Sequence, residues 1–148
     1  MPLFTVSRGQ HAINTANDSL TIVSVSNKPL RIYTCKVGGA NNVPNFNEIW
    51  LQRSTGGTTP GGAVTPEKVD VNSSAACFSV YTTWANQPAL SGGPLHRFTV
   101  NSNGGIDPMI KMPGFEIQVP AGGQVSIRAG VVNGSSNGVL NLDIEEIG

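Results

Sequence analysis

The sequence predicts an all-β protein, an antiparallel β-sandwich, and three observations carry that prediction. Apolar and polar residues alternate with a period of two through most of the chain, and no window of helical length holds a 3.6-residue pattern. The alternating runs are separated by turn-residue clusters such as "NKP", "GGANNVPN", "AGG" and "NGSSNG". Charged residues are only 12% of the 148, about half the usual share, and Gly, Ser, Thr and Asn replace them.

The elements follow in order. Residues 1–18 read as an N-terminal arm containing "LFTVS". The first strand is Leu20–Ser26, and the "NKP" turn leads to Leu30–Val37. Phe46–Ser54 returns after the "GGANNVPN" loop. The stretch "STGGTTPGGAVTPEKVD" (Ser54–Asp70) is a long loop within one domain, because segments on both sides are needed to complete the sandwich. Ala75–Thr83 and Leu95–Asn101 come next, joined by "WANQPALSGGP". "SNGGIDPMIKMPG" connects to "FEIQVP", in which Phe115, Ile117 and Val119 face one way and Glu116 and Gln118 the other. The tight turn "AGG" leads into Gln124–Val132, and "NGSSNG" closes the last hairpin into "VLNLDIEEI".

That makes eight antiparallel strands after the arm, and the eight-stranded sandwich most often seen is the jelly roll. Residues 19–148 form this one domain, long enough to bury a core without staples. An immunoglobulin-like sandwich is the rival, since Trp50 lies between Cys35 and Cys77. In jelly-roll order, however, those cysteines fall on the second and fourth strands of the eight. These are two strand spacings apart, roughly 10 Å, beyond the ~7 Å reach of a disulfide. Two free, half-buried thiols are expected.

Net charge is zero and the basic residues are scattered, which argues against nucleic acid as a partner. No run approaches the ~18–20 apolar residues of a membrane helix. "MPLFTVSRGQ" lacks the basic-then-apolar pattern of a secretory signal, so synthesis in a reducing cytoplasm is expected.

Motifs that could carry chemistry fail on context. Gly56 and Gly61 have P-loop separation, but Gly62 and Ala63 stand where Lys and Ser/Thr are required. Gly134, Ser136 and Gly138 spell G-x-S-x-G, yet they join two strands and no His follows. Asp143 and Glu145 share one face of the last strand, with Glu146 on the other, and read as a solvated face rather than a glycosidase pair. Asp18, Asp70 and Asp107 lack the spacing of an EF-hand. The N-x-[ST] triplets at Asn17, Asn72 and Asn133 are near chance in a chain this rich in Asn and Ser. No catalytic residue, metal site or cofactor is assigned, and a β-sandwich enzyme ranks last among the readings.

The tryptophans are better clues. Trp50 alternates with Ile49 and Leu51 and so shares the outer face with Glu48 and Gln52, unless a bulge turns it inward. Trp84 opens a loop. An exposed tryptophan serves as an interface anchor or a sugar-stacking platform.

From "EIWLQRSTGGTTPGGAVTPEKVD" onward the chain resembles the small jelly-roll decoration (cement) proteins of tailed-bacteriophage capsids. The residues are Leu51 and Arg53, the Gly56–Thr59 run, then Thr65, Pro66, Lys68 and Asp70. "PGFEIQVPAGGQVSIRA" is similar to the family's hairpin near the C-terminus, and "IEE" to its closing strand. The likeness covers about two thirds of the chain, and its motifs are structural punctuation. It implies a non-enzymatic homotrimer on the outside of an icosahedral head, bridging major capsid protein subunits. Leu3, Phe4, Val6 and Arg8 of the arm, Glu67 and Lys68 of the long loop, and Trp50 and Trp84 are the expected capsid or inter-subunit contacts. The second reading is a carbohydrate- or receptor-binding head of a phage fibre.

Overall fold

The computed structural model describes residues 1–148 and contains strands but no helix. In chain order these are β1 (Leu3–Ile13), β2 (Asp18–Val23), β3 (Leu30–Gly39), β4 (Phe46–Thr55), β5 (Thr58–Gly61), β6 (Glu67–Lys68), β7 (Ser79–Tyr81), β8 (Thr83–Asn86), β9 (Ala89–Leu90), β10 (His96–Asn101), β11 (Ile106–Ile110), β12 (Ile117–Val119), β13 (Gln124–Val131) and β14 (Ser136–Glu146). One sheet has the order β11-β3-β14-β1-β6, with β12 continuing along β3. The other has the order β10-β4-β13-β2-β7, with β9 on the end of β4. Every pairing is antiparallel. The two sheets share one core, to which Val6, Ile32, Val119 and Leu142 come from the first and Leu20, Leu51, Phe98 and Ile127 from the second.

The last strand shows how the sequence places that core. Leu140, Leu142 and Ile144 are buried and alternate with less buried neighbours, as a half-covered strand requires. In β3 the same rule needs a correction, because Leu30 and Ile32 are out of phase with Cys35 and Val37. Ile32 pairs with Ile144 and Thr34 with Asp143, so Tyr33 is an extra residue. This bulge shifts the phase by one and keeps all four apolar side chains in the core.

Four expectations change. The N-terminal arm is a strand: β1 pairs with β14 along most of its length, and Phe4 and Val6 are 0% exposed. Its alternation of Phe4 and Val6 with Thr5 and Ser7 is that of a half-buried strand, and it covers the edge that β14 otherwise presents. Ala75–Thr83 is not one strand: β7 joins the second sheet while β8 pairs with β5. The loop 102–114 contains β11, an edge strand with Pro108 at its centre. Phe115 lies in a turn before β12, where its N–H donates to Met112 C=O, and it faces solvent rather than the core.

The long loop is likewise stitched to its own domain. β5 and β8 form a two-stranded ribbon beside the second sheet, and β6 extends the first sheet next to β1.

Candidate functional site

A polar cleft forms around a β-bulge in β2. Leu20 pairs with Ile127 and Asp18 with Arg128, which leaves Ser19 without a partner on β13. A bulge frees backbone groups from the ladder, and side chains from outside the sheet take them. The Arg8 guanidinium donates to Ser19 C=O, and Gln87 Oε1 accepts from Asp18 N–H at 2.9 Å. Between them opens a cleft of about 240 Å³ whose walls include Arg8, Asn14, Asn17, Asp18, Trp84 and Gln87.

Asp18 is the centre of the network beneath it. Its side chain is fully buried and bonded on both oxygens. Oδ1 accepts from Arg128 Nε at 2.6 Å; Oδ2 accepts from Thr21 Oγ1 at 2.6 Å and Ser126 Oγ at 2.5 Å. Such satisfaction is what lets a carboxylate stay buried. Thr21 Oγ1 in turn accepts from Trp84 Nε1 at 2.9 Å. Trp84 is further held by Tyr81, edge-on with centroids 5.6 Å apart, and by Gly57, where a Cβ would stand 2.7 Å from the ring.

Arg8 differs from Arg128. It follows Phe4 and Val6 in the inward phase of β1, is half-buried, and has no carboxylate partner. Burial pushes its pKa below the ordinary value, although a guanidinium stays protonated.

The expected contact residues fall in separate places. Arg8 and Trp84 meet in this cleft. Phe4 and Val6 lie in the core and make no outward contact; inward pointing on a two-sheet strand decides this. Leu3 is half-buried beside Val69 and Asp70 in a shallow groove. Glu67 and Lys68 are exposed on β6, opposite Thr5 and Phe4, and Lys68 Nζ donates to Ser73 C=O at 2.9 Å, closing the turn that follows.

Trp50 sits on the outer face of the second sheet. Its Nε1–H donates to Glu48, and the Arg97 guanidinium lies over the ring, 5.2 Å from its centroid. Its indole lies across Gly130. The Trp50 N–H and the Arg97 cation hold the Glu48 carboxyl below its usual range. Trp50 is thus engaged within its own sheet.

The acidic residues of β14 are not a solvated face. Asp143 accepts from Thr34 Oγ1 at 2.5 Å and Glu145 from Tyr33 OH at 2.6 Å. Glu146 is fully buried: its Oε2 accepts from the N–H groups of Cys77 and Phe78, and Lys28 Nζ lies 3.5 Å from Oε1. The thiols are free but unequal, Cys35 buried on β3 and Cys77 exposed ahead of β7. Burial pushes the Cys35 thiol's pKa far up.

A second feature is apolar. On β11, Met109 faces the core while Ile106, Pro108 and Ile110 face out. Ile106 and Ile110 on this edge strand are 73% and 69% exposed, and Met112 and Phe115 in the connection to β12 are 69% and 72% exposed. In the sequence, 102–114 reads as a connection and Phe115 groups with Ile117 and Val119, so this surface is not visible there. No group of three or more His, Cys, Asp or Glu is placed to hold a metal ion.

Comparison with family models, with curated proteins and with solved structures found no match in any of the three.

Proposed function

We propose that this chain is a structural virion protein that decorates an icosahedral phage head, bridging major capsid protein subunits from the outside as a homotrimer. The observation that carries the reading is the apolar edge from Ile106 to Phe115. Ile106 and Ile110 on the edge strand β11, and Met112 and Phe115 in the connection that follows it, are each more than two-thirds exposed. Large apolar side chains left exposed within one short stretch of chain are what a protein–protein contact uses. Pro108 at the centre of the strand hinders edge-to-edge strand addition, so side-chain docking is the mode the edge suits.

Two further lines support it. The resemblance over the Leu51–Asp70 segment points to the decoration family. The pairing orders also suit a jelly roll, provided that β1 is its first strand. Counting β1, β2, β3, β4, β10, β11 with β12, β13 and β14 as strands one to eight, one sheet reads 1-8-3-6 and the other 2-7-4-5. That interleaving is the one expected when a long antiparallel hairpin wraps on itself. In this reading β5 to β9 are an insertion between the fourth and fifth strands.

The test is sedimentation of the purified protein with expanded heads of the phage that encodes it. Saturable retention is expected, together with a higher temperature of head rupture, and Phe115→Ser should weaken the retention. Recovery of all the protein in the supernatant at micromolar concentration would overturn the proposal.

A further inference from the structure

We propose that the cleft between β1, β2 and β8 binds a carboxylated sugar, with Arg8 taking the carboxylate and the amides of Asn14, Asn17 and Gln87 taking the hydroxyls. Arg8 carries the assignment. An arginine in the inward phase of a strand, after two core residues, calls for a specific partner, because desolvating a guanidinium is costly without one. The chain supplies only the Ser19 carbonyl, leaving the rest of the fork without a charged partner. Asp18 lines the same cleft, but its carboxylate is held by Arg128, Thr21 and Ser126. The cation facing the cleft is therefore uncompensated. A carboxylate fits a guanidinium fork through two parallel hydrogen bonds.

The remaining walls select the rest of the ligand. Asn14 Oδ1 accepts from the N–H groups of Ala16 and Asn17, and Gln87 Oε1 accepts from Asp18 N–H. Those bonds orient both amides by their oxygens and leave the Nδ2 and Nε2 groups with no acceptor in the chain. The Asn17 side chain makes no internal hydrogen bond and is exposed. Amide donors of this kind suit hydroxyl oxygens. Trp84 closes one side, with its N–H already bonded to Thr21, so it presents apolar ring rather than a donor. At about 240 Å³ the cleft has room for one sugar ring; drug-sized ligands occupy sites of roughly 300 Å³ or more.

The cleft is also separate from the apolar edge. β11 begins the strand order of the first sheet and β1 is three strands further on, roughly 14 Å across the ladder at ~4.8 Å per strand. None of the cleft's lining residues belongs to that edge.

Isothermal titration of the full chain with sodium glucuronate, glucose, sodium acetate and inorganic phosphate tests the proposal. One saturable site is expected for glucuronate, with no detectable binding of glucose and weaker binding of acetate and phosphate. Arg8→Gln should weaken glucuronate binding about tenfold or more, the scale of one charge-assisted hydrogen bond. Because Arg8 also ties β1 to β2, Asn17→Asp is the second variant. It adds a negative charge to the cleft without removing any internal bond, so it should abolish binding while leaving the melting temperature unchanged. Any one of four results overturns the assignment: no glucuronate binding, equal binding of glucose, phosphate bound as tightly as glucuronate, or unchanged glucuronate affinity in Asn17→Asp.

Discussion

Trp50 lies across Gly130, and the indole occupies the space that a side chain at 130 would fill. Gly130 is the extra residue of a bulge on β13, since Ala129 pairs with Ile49 and Val131 with Glu48. Its φ is not in the left-handed region, so alanine suits the backbone and the requirement for glycine comes from the ring alone. Gly130→Ala should therefore cost about 1–3 kcal/mol, the range of overpacking in a filled site. In a Trp50→Ala background the same change should cost almost nothing. Urea denaturation of the four proteins measures the coupling, and additive effects would show that the cost of alanine at 130 does not come from the ring.

Asp18 and Arg128, separated by 110 residues in sequence, form the most buried ion pair in the fold. Removing one member leaves the other charged and without a counter-ion in a largely buried site. Asp18→Asn should destabilise the protein by about 3–5 kcal/mol. Combining it with Arg128→Met should recover part of that loss, because the stranded charge is gone. If the double variant is as unstable as the sum of the singles, the pair's electrostatics are not what holds β2 to β13.

Much of this fold was legible, and the failures have local causes. The alternation of Leu140, Leu142 and Ile144 fixes β14 and its inward face without tertiary information. Phe4 and Val6 carry the same signal, but "SRGQ" breaks it, and the pairing with β14 that makes β1 a strand lies at the far end of the chain. β11 was hidden by Pro108, which belongs on an edge that only the sheet order reveals. The cleft is a harder case. Arg8 and Trp84 stood out singly, yet their meeting depends on the unpaired Ser19 and on Gln87 reaching back to Asp18, contacts across 69 residues that have no periodicity. Nothing in the neighbourhood of Asp18 marks it as the hub.

Acidification should weaken the fold through its two histidines. Burial lowers the pKa of His11, aided by the nearby Arg8 cation and opposed by the bond to Gly9 C=O. Its Nδ1 lies 2.9 Å from that carbonyl and donates to it, while Nε2 is buried with no partner for an added proton. Burial also lowers His96, with Lys111 acting in the same sense and Asp107 against it. Below the ordinary value of 6.5 the unfolded chain takes up protons that the folded one resists. Stability therefore falls as pH drops from 6.5 toward the folded values, and is constant above 6.5 on this account. The His11→Gln, His96→Gln double variant should show a flatter dependence between pH 6.5 and about 5. An unchanged slope in urea titrations would exclude both imidazoles as its source.

Phe4 and Phe115 are both aromatic, and their environments predict opposite outcomes. Phe4 is 0% exposed, packs edge-on against Phe78 with centroids 5.4 Å apart, and belongs to the one core. Phe4→Ala should cost about 3–5 kcal/mol, and deleting residues 1–10 should prevent folding, because β14 loses its partner as well as two core side chains. Phe115 is 72% exposed in the turn ahead of β12. Phe115→Ser should change stability by no more than about 0.5 kcal/mol while reducing retention on phage heads. Denaturation and sedimentation on the same preparations separate the two roles. A destabilised Phe115→Ser would mean that the exposed edge serves the fold itself, and the apolar surface would then no longer argue for a partner.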